Sequence, residues 1–178
     1  MGIGRVPDTV YSGSLQLAFG NGSQLATSTA GNPSLTITDN SYLNASGNHV
    51  YKTTNPSTRL EQYNGTLTFS NAASGTAGAT ISYAERIRIT SSGNVGIGTI
   101  SPASPTGFGS SGILHLKGST GNDCSIVLEG LSGSGGRQEI GASGGALQFY
   151  RGAATGSMTE SMRIDSSGSL SFGGITSA

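Results

Sequence analysis

The sequence predicts an all-β protein, and three observations carry this prediction. Apolar and polar residues alternate in short segments, and turn residues such as Asn64-Gly65 separate these segments. No segment keeps a helical periodicity for more than two turns. We therefore expect elongated, intertwined β-hairpin or β-sandwich-like modules.

The composition favours an assembly of identical copies. Only 34% of the residues are hydrophobic, 10% are charged, and 30 of the 178 residues are glycine. A disordered chain of such low hydrophobicity usually carries many charges, so an ordered chain is the better interpretation. A thin single chain buries little apolar surface, whereas identical copies supply more. This predicts an assembly of identical copies.

Charge and sequence signals exclude several classes of protein. Lys and Arg total 9 and the net charge is zero, so a basic face for nucleic acid is not expected. No apolar run reaches transmembrane length, and residues 1–7 lack the apolar core of a signal peptide. The single Cys124 cannot form an internal disulfide. We expect assembly in a cytoplasm, with neither nucleic acid nor membrane as a partner.

Short strands and an internal repeat organise the chain. The predicted strands outside the hairpins are Leu15–Phe19, Leu35–Ile37, Leu67–Phe69, Leu114–Leu116, Ser125–Leu128 and Leu147–Phe149. The repeat matches 85–98 with 160–173, 65–69 with 145–149, 59–61 with 137–139, and 34–37 with 113–116. The repeat predicts three parts. They are an N-terminal attachment segment at 1–30, a first β module at 31–110 that ends in a Pro/Gly/Ser linker, and a second β module at 111–178.

The two best-matched segments each predict a β-hairpin with one apolar face. The first hairpin has its apolar residues at odd positions (Ile87, Ile89, Val95 and Ile97), and the second at even positions (Met162, Ile164, Leu170 and Phe172). A Ser-Ser-Gly turn separates the halves of each hairpin. We expect each apolar set to face inward.

This hairpin resembles a known shaft element. Residues 85–102 read E-R-I-R-I-T-S-S-G-N-V-G-I-G-T-I-S-P. They are similar to a pattern, E-R-M-R-I-D-S-S-G-N-V-G-I-G-T-x-x-P, of bacteriophage tail-fibre and tail-spike shafts that often precede an endosialidase-type intramolecular chaperone domain. Residues 161–168 resemble the same element, and the second copy departs from it after the turn, at Ser171 and Phe172. The chaperone domain itself is not seen. The resemblance implies a homotrimer wound around a shared axis, within a virion.

The residues that could take part in catalysis or metal binding do not form a recognisable site. His49 and His115 stand far apart and lack other ligands at metal-binding spacing, although a trimer could bring three copies of one histidine to an axial metal. Glu85 and Glu160 occupy equivalent repeat positions, so they are read as strand-start residues paired with a neighbouring arginine such as Arg86 or Arg163. We therefore predict no catalytic, cofactor-binding or metal-binding residue and no cofactor.

Some residues keep two interpretations. Tyrosines could stack on a host surface glycan or serve as ordinary interface residues; they are Tyr42, Tyr51, Tyr63, Tyr83 and Tyr150. Gly96 lies in a strand, where the missing side chain suggests a close backbone approach, expected from a neighbouring chain. Cys124 is read as a small packing residue.

These observations predict a structural component of a phage virion, a tail fibre or spike that supports host adsorption, and not an enzyme. Its expected partners are its own copies and other virion proteins. One alternative is a head-decorating or head-fibre protein. Another is a polysaccharide-degrading tailspike enzyme, disfavoured because the chain is short and no acidic pair is marked.

Overall fold

A computed structural model describes residues 2–3, 14–19, 22–28, 34–103, 112–119, 123–129, 136–153 and 157–173. Within these ranges every regular element is a β-strand, which confirms the all-β prediction. The strands are β1 (Gly2–Ile3), β2 (Ser14–Phe19), β3 (Ser23–Ser28), β4 (Ser34–Thr38), β5 (Ser41–Leu43), β6 (His49–Tyr51), β7 (Ser57–Tyr63), β8 (Thr66–Ala72), β9 (Ala84–Ile89), β10 (Val95–Ile97), β11 (Leu114–Leu116), β12 (Cys124–Glu129), β13 (Gly136–Ser143), β14 (Ala146–Ala153), β15 (Thr159–Ile164) and β16 (Leu170–Phe172).

The chain divides into two compact units, Met1–His115 and Leu116–Ala178. The first unit contains a nine-stranded sheet in the order β1-β2-β3-β4-β7-β8-β9-β10-β11, with the β5–β6 hairpin as a separate two-stranded sheet. Neighbouring strands from β2 to β10 pair antiparallel. The second unit contains a five-stranded antiparallel meander from β12 to β16.

The internal repeat is visible in the sheet pairings. Strands β7 to β10 correspond to β13 to β16, because Phe69 pairs with Leu60 and Ile87 while Phe149 pairs with Ile140 and Met162. A β-bulge follows each phenylalanine, so the irregularity is repeated too.

Two details of the repeat alignment differ from the sequence match. The sequence matched β11 with residues 34–37, which form β4, but β11 lies beside β10 in the first sheet. The counterpart of β4 is β12, because β12 lies next to β13 as β4 lies next to β7. Ile140 rather than Gln138 is the counterpart of Leu60. A period-two pattern cannot resolve such shifts, since a slip of two residues keeps every side chain on its face.

Both predicted hairpins form, and their turns share one geometry. Gly93 and Gly168 each have φ of +85°, a conformation that glycine adopts without strain. In the first turn the Gly93 amide donates to the Thr90 carbonyl over 2.9 Å, and in the second the Gly168 amide donates to the Asp165 carbonyl over 3.0 Å. The Asp165 carboxylate also accepts from the Ser167 hydroxyl and from the amides of Ser169 and Ser167, and these bonds lower the pKa of this carboxyl.

A single side chain, Asn40, organises the loop between β6 and β7. Its amide nitrogen donates to the carbonyls of Thr53, Asn55 and Pro56 at 2.8–3.1 Å. Its Oδ1 accepts from the amide and the hydroxyl of Thr53, both at 2.8 Å. Asn40 has φ of +45°, a left-handed conformation that asparagine tolerates better than most residues. This loop leads into β7, so Asn40 helps to fix where the central strands begin.

Candidate oligomerisation surface

Strand register aligns one apolar row across the first sheet. The cross-strand partners, in order from β2 to β10, are Leu17, Leu25, Ile37, Leu60, Phe69, Ile87 and Ile97. A second row, two residues along, contains Leu35, Gln62, Leu67, Ile89 and Val95. With strands about 4.8 Å apart and same-face residues about 6.8 Å apart, the seven positions of the first row and the five of the second cover roughly 400 Å². We call this surface the apolar face.

The chain leaves its apolar face uncovered. Ile37, Phe69 and Ile97 keep 47%, 42% and 42% of their surface exposed. On the opposite face, which we call the covered face in each unit, small polar residues are buried, among them Thr36, Thr38, Thr68 and Ser70. The hairpin residues therefore share one face, as predicted, but the expectation that they point inward is not met within one chain. A sheet that exposes its apolar side is a candidate interaction surface.

The second unit repeats this arrangement. Its main row consists of Ile126, Ile140, Phe149, Met162 and Phe172, and its second row of Cys124, Ala142, Leu147, Ile164 and Leu170. Phe172, Leu170 and Ile126 are 53%, 55% and 45% exposed. On the opposite face Gln148 is buried. Both units thus carry the same uncovered face.

The covered face carries an ion pair at the same place in each unit. Arg88 donates through Nε and one terminal nitrogen to the two carboxylate oxygens of Glu85, each over 2.7 Å. Arg163 donates to Glu160 over 2.7 Å. Residues i and i+3 lie on opposite faces of a regular strand, but the bulge adds one residue and brings them together.

This geometry partly corrects the sequence interpretation. Glu160 pairs with Arg163 as expected, but Glu85 pairs with Arg88 and not with Arg86. The pairing with Glu85 raises the pKa of Arg88. Each carboxylate is thus occupied by a guanidinium from its own chain.

One end of the apolar face in the first unit is polar. Asp39 Oδ1 accepts from the amide and the hydroxyl of Thr58, which places the carboxylate on the side of the Thr58 side chain. Thr58 is the cross-strand partner of Asn71, which shares its face with Phe69 by alternation. Arg86, the extra residue of the bulge, donates from Nε to Asn71 Oδ1 over 2.8 Å. We call Asp39, Thr58, Asn71 and Arg86 the polar band.

Comparison with known proteins gives no assignment at this point. No protein-family model matches the chain, and no curated protein matches it.

His49 is enclosed near the covered face. Its Nδ1 lies 2.9 Å from the hydroxyl of Ser41, and its ring meets that of Tyr83 edge-on, with centroids 5.7 Å apart. The Tyr83 hydroxyl is 2.7 Å from that of Ser57, and the guanidinium carbon of Arg59 is 4.7 Å from the centre of the Tyr83 ring. Burial, and secondarily the Arg59 charge, lower the pKa of His49 to about 4. His49 is thus a neutral packing residue here.

This environment predicts a pH-dependent stability. Between pH 6.5 and about 4 the unfolded chain binds a proton on His49 that the folded chain does not, so stability falls as pH falls through this window. The lowered pKa of His49 corresponds to about 3 kcal/mol of folding free energy per chain. We expect His49→Asn, which keeps a polar atom near Nδ1, to remove that part of the acid sensitivity in denaturant unfolding at several pH values. His115→Asn should keep the full decline, and an undiminished decline in His49→Asn would contradict the assignment.

The remaining sequence candidates have structural contacts. Tyr51 is 6% exposed and donates to the Ala73 carbonyl over 2.6 Å, so it belongs to the core with Ala72 and Ile81. Tyr83 contacts Ser57 and His49, and the centre of the Tyr42 ring lies 5.3 Å from the Lys52 ammonium. Tyr63 and Tyr150 retain accessible surface, so the glycan interpretation stays open for them.

Gly96, His115 and Cys124 also have defined places. A side chain at Gly96 would collide with the carbonyl of Thr99, so a close approach within the same chain already accounts for this glycine. His115 accepts a hydrogen bond from the Ala103 amide over 3.4 Å. Cys124 lies at the start of the second apolar row of the second unit.

Two kinds of feature are absent from the described ranges. They contain no group of three or more His, Cys, Asp or Glu residues placed to hold a metal ion. They also contain no helix long and apolar enough to cross a membrane.

Proposed function

We propose that the protein is a structural component of a phage virion, a tail fibre or spike built as a homotrimer that supports host adsorption. The observation that carries the proposal is the apolar face, which runs across each sheet and which the chain itself leaves uncovered. Both units carry it, so a single partner with the same repeat can cover both. A second copy of this chain meets that requirement without another protein.

A threefold arrangement is supported by geometry and by the sequence. Three one-faced sheets around a common axis turn every apolar face inward and every polar face to water. On the covered face the small polar residues are already buried by the chain itself. This side therefore needs no partner chain and can face solvent. The E-R-I-R-I-T-S-S-G-N-V-G-I-G segment resembles the shaft element of trimeric phage fibres, which favours three copies over two.

A passive rather than an enzymatic role is the second part of the proposal. The two glutamates at equivalent repeat positions are each paired with an arginine of their own chain. A glycosidase instead keeps two carboxylates on either side of a cleft, one of them ready to donate a proton. The arrangement therefore favours a structural role over polysaccharide cleavage.

The stoichiometry provides the primary test. We expect light scattering coupled to size exclusion to give a mass of three chains across the micromolar range. A folded monomer at these concentrations would overturn the proposal.

The enzymatic alternative has its own measurement. We expect the purified protein to release no reducing sugar from host capsule or lipopolysaccharide. Reproducible release that disappears on replacing a single acidic residue would establish the tailspike enzyme instead.

A further inference from the structure

The polar band of the first unit carries an inference that goes beyond the proposed function. The band borders a depression of about 460 Å³, which is also lined by Ile37, Leu60 and Phe69. We propose that this depression binds a neutral pyranose sugar. Hydroxyls of the sugar would bridge Asp39 and Arg86, and the apolar C–H groups of its ring would lie against Phe69.

The two charged side chains of the band are held in place and lie close together. Oδ1 of Asp39 accepts from the amide and the hydroxyl of Thr58. Nε of Arg86 donates to Oδ1 of Asn71 over 2.8 Å. Thr58 and Asn71 are cross-strand partners, so both charged groups are anchored at directly opposed positions of two adjacent strands. Side chains that are oriented before a ligand arrives lose less entropy when it binds.

Each charged group keeps hydrogen-bonding atoms that its anchor does not use. Both side chains are exposed, and none of the ion pairs among the described residues joins Asp39 to Arg86. The anchoring bonds leave Oδ2 of Asp39, both terminal nitrogens of Arg86 and the amide nitrogen of Asn71 for another partner. One strong acceptor thus stands beside several donors.

This combination matches a neutral polyol better than an ion. The Asp39 carboxylate would repel an anionic ligand, and the Arg86 guanidinium would repel a cationic one. A hydroxyl both donates and accepts, so two adjacent hydroxyls can donate to the carboxylate and accept from the guanidinium. A small zwitterion would also satisfy the two charges, but it would leave much of the 460 Å³ depression unfilled.

The floor of the depression suits the ring of a sugar. Ile37 and Phe69 are 47% and 42% exposed and lie beside the band. Small-molecule sites combine such apolar walls with a few fixed polar groups, in volumes of roughly 300–1,000 Å³. The band is the outermost row of the apolar face, next to the ends of β4 and β8, so a ligand there leaves the remaining rows to a partner chain.

The repeat shows that the band is particular to the first unit. In the second unit the corresponding positions contain no carboxylate; in the order of the band they are Leu128, Gln138, Arg151 and Ser161. Both units share the apolar face, but only the first combines it with an acceptor and donors at one end. This difference indicates a role for the band other than covering the face.

Saturation-transfer difference NMR on the full chain tests the site. The probes are methyl α-D-glucopyranoside, methyl α-D-galactopyranoside and methyl α-D-mannopyranoside, with L-leucine as the zwitterion. We expect at least one pyranoside to bind with a Kd on the order of 1–10 mM, as is usual for so small a ligand. Binding of L-leucine alone, or no binding of any pyranoside at about 50 mM, would overturn the proposal.

Two variants place the sugar at the band. Asp39→Asn keeps Oδ1 for Thr58 but replaces the free acceptor by a donor, and Arg86→Gln keeps a donor for Asn71 but removes the guanidinium. Each should weaken pyranoside binding roughly tenfold, because each loses a hydrogen bond to a charged group. The matched controls Asp165→Asn and Arg88→Gln make the same changes away from the depression and should bind as the wild type does. If the controls lost as much affinity, or if both band variants bound normally, the site would be wrong.

A further variant and a mass measurement complete the test. Asn71→Asp keeps Oδ1 for Arg86 and removes the free amide nitrogen, so it should also weaken binding if either of the first two variants fails to fold by circular dichroism; normal binding by Asn71→Asp would contradict the site. Light scattering on the same samples separates this inference from the trimer. A monomer that binds a pyranoside would refute the trimer alone, and a trimer that binds none would refute the sugar site alone.

Discussion

Ile89→Asp is expected to abolish assembly while leaving the chain folded. Ile89 lies in the second apolar row, paired with Leu67 and Val95, and is 36% exposed in the chain alone. Full burial of such a side chain contributes about 1.5–3 kcal/mol, so burying the 36% that is still exposed contributes about 0.5–1 kcal/mol per chain, or roughly 2–3 kcal/mol for a trimer. Three carboxylates brought together without partners add a further cost. Light scattering should show a monomer, and circular dichroism should show that the β content is retained.

Two control variants separate this effect from a general loss of stability. Ile100→Asp makes the same chemical change at the most exposed large apolar residue described, 65% accessible and outside any strand. It should assemble normally. Arg88→Ser should also assemble, because Arg88 lies on the covered face, although it loses the pair with Glu85. If Ile100→Asp or Arg88→Ser dissociated as readily as Ile89→Asp, the apolar face would not be the interface.

Asn40→Asp is expected to destabilise the first unit by about 2–4 kcal/mol. The amide nitrogen of Asn40 donates to three carbonyls, and a carboxylate would place an oxygen against all three. The backbone is not the cause, since Asp adopts the left-handed conformation about as readily as Asn. Denaturant unfolding above pH 6, where the carboxylate is ionised, measures the loss.

Asn44→Asp is the matched control. Asn44 acts only as an acceptor in its side-chain bonds to the described residues, where Oδ1 receives the amides of Ser46 and Asn48, each over 3.0 Å. Asp keeps that oxygen, so the change should stay within about 0.5 kcal/mol. Equal destabilisation of the two variants would show that the donated bonds of Asn40 do not stabilise the loop.

Much of the strand pattern could be predicted because it depends on local chemistry. Alternation fixed the face of Ile87, Ile89, Val95 and Ile97, and the Ser-Ser-Gly segment fixed the turn between them. The bulge after Phe69 could not be predicted in this way. It adds Arg86 as an unpaired residue between Glu85 and Ile87, so the alternation of faces is shifted by one residue across the bulge. Glu85 and Arg88 therefore share a face, although a regular strand would place them on opposite faces.

Contacts between distant segments also needed the tertiary structure. Asn40 reads as an ordinary turn residue, since nothing nearby in sequence shows that Thr53, Asn55 and Pro56 converge on its amide. The burial of His49 against Tyr83 could not be predicted for the same reason, because the two residues are 34 positions apart. A polar residue gains its role from partners that only the folded chain brings within hydrogen-bonding distance.

The all-β class, the two hairpins and the residues that share each apolar face could be predicted locally, because alternation and turn chemistry act between neighbouring residues. Which way those faces point depends on contacts between distant segments. Strand register joined the separate apolar residues into continuous rows, and the chain buried Thr36, Thr68 and Gln148 while Phe69 and Phe172 stayed exposed. The alternation of apolar and polar residues specifies which residues share a face. Which face is buried depends on what packs against it, and within one chain the polar face is the buried one.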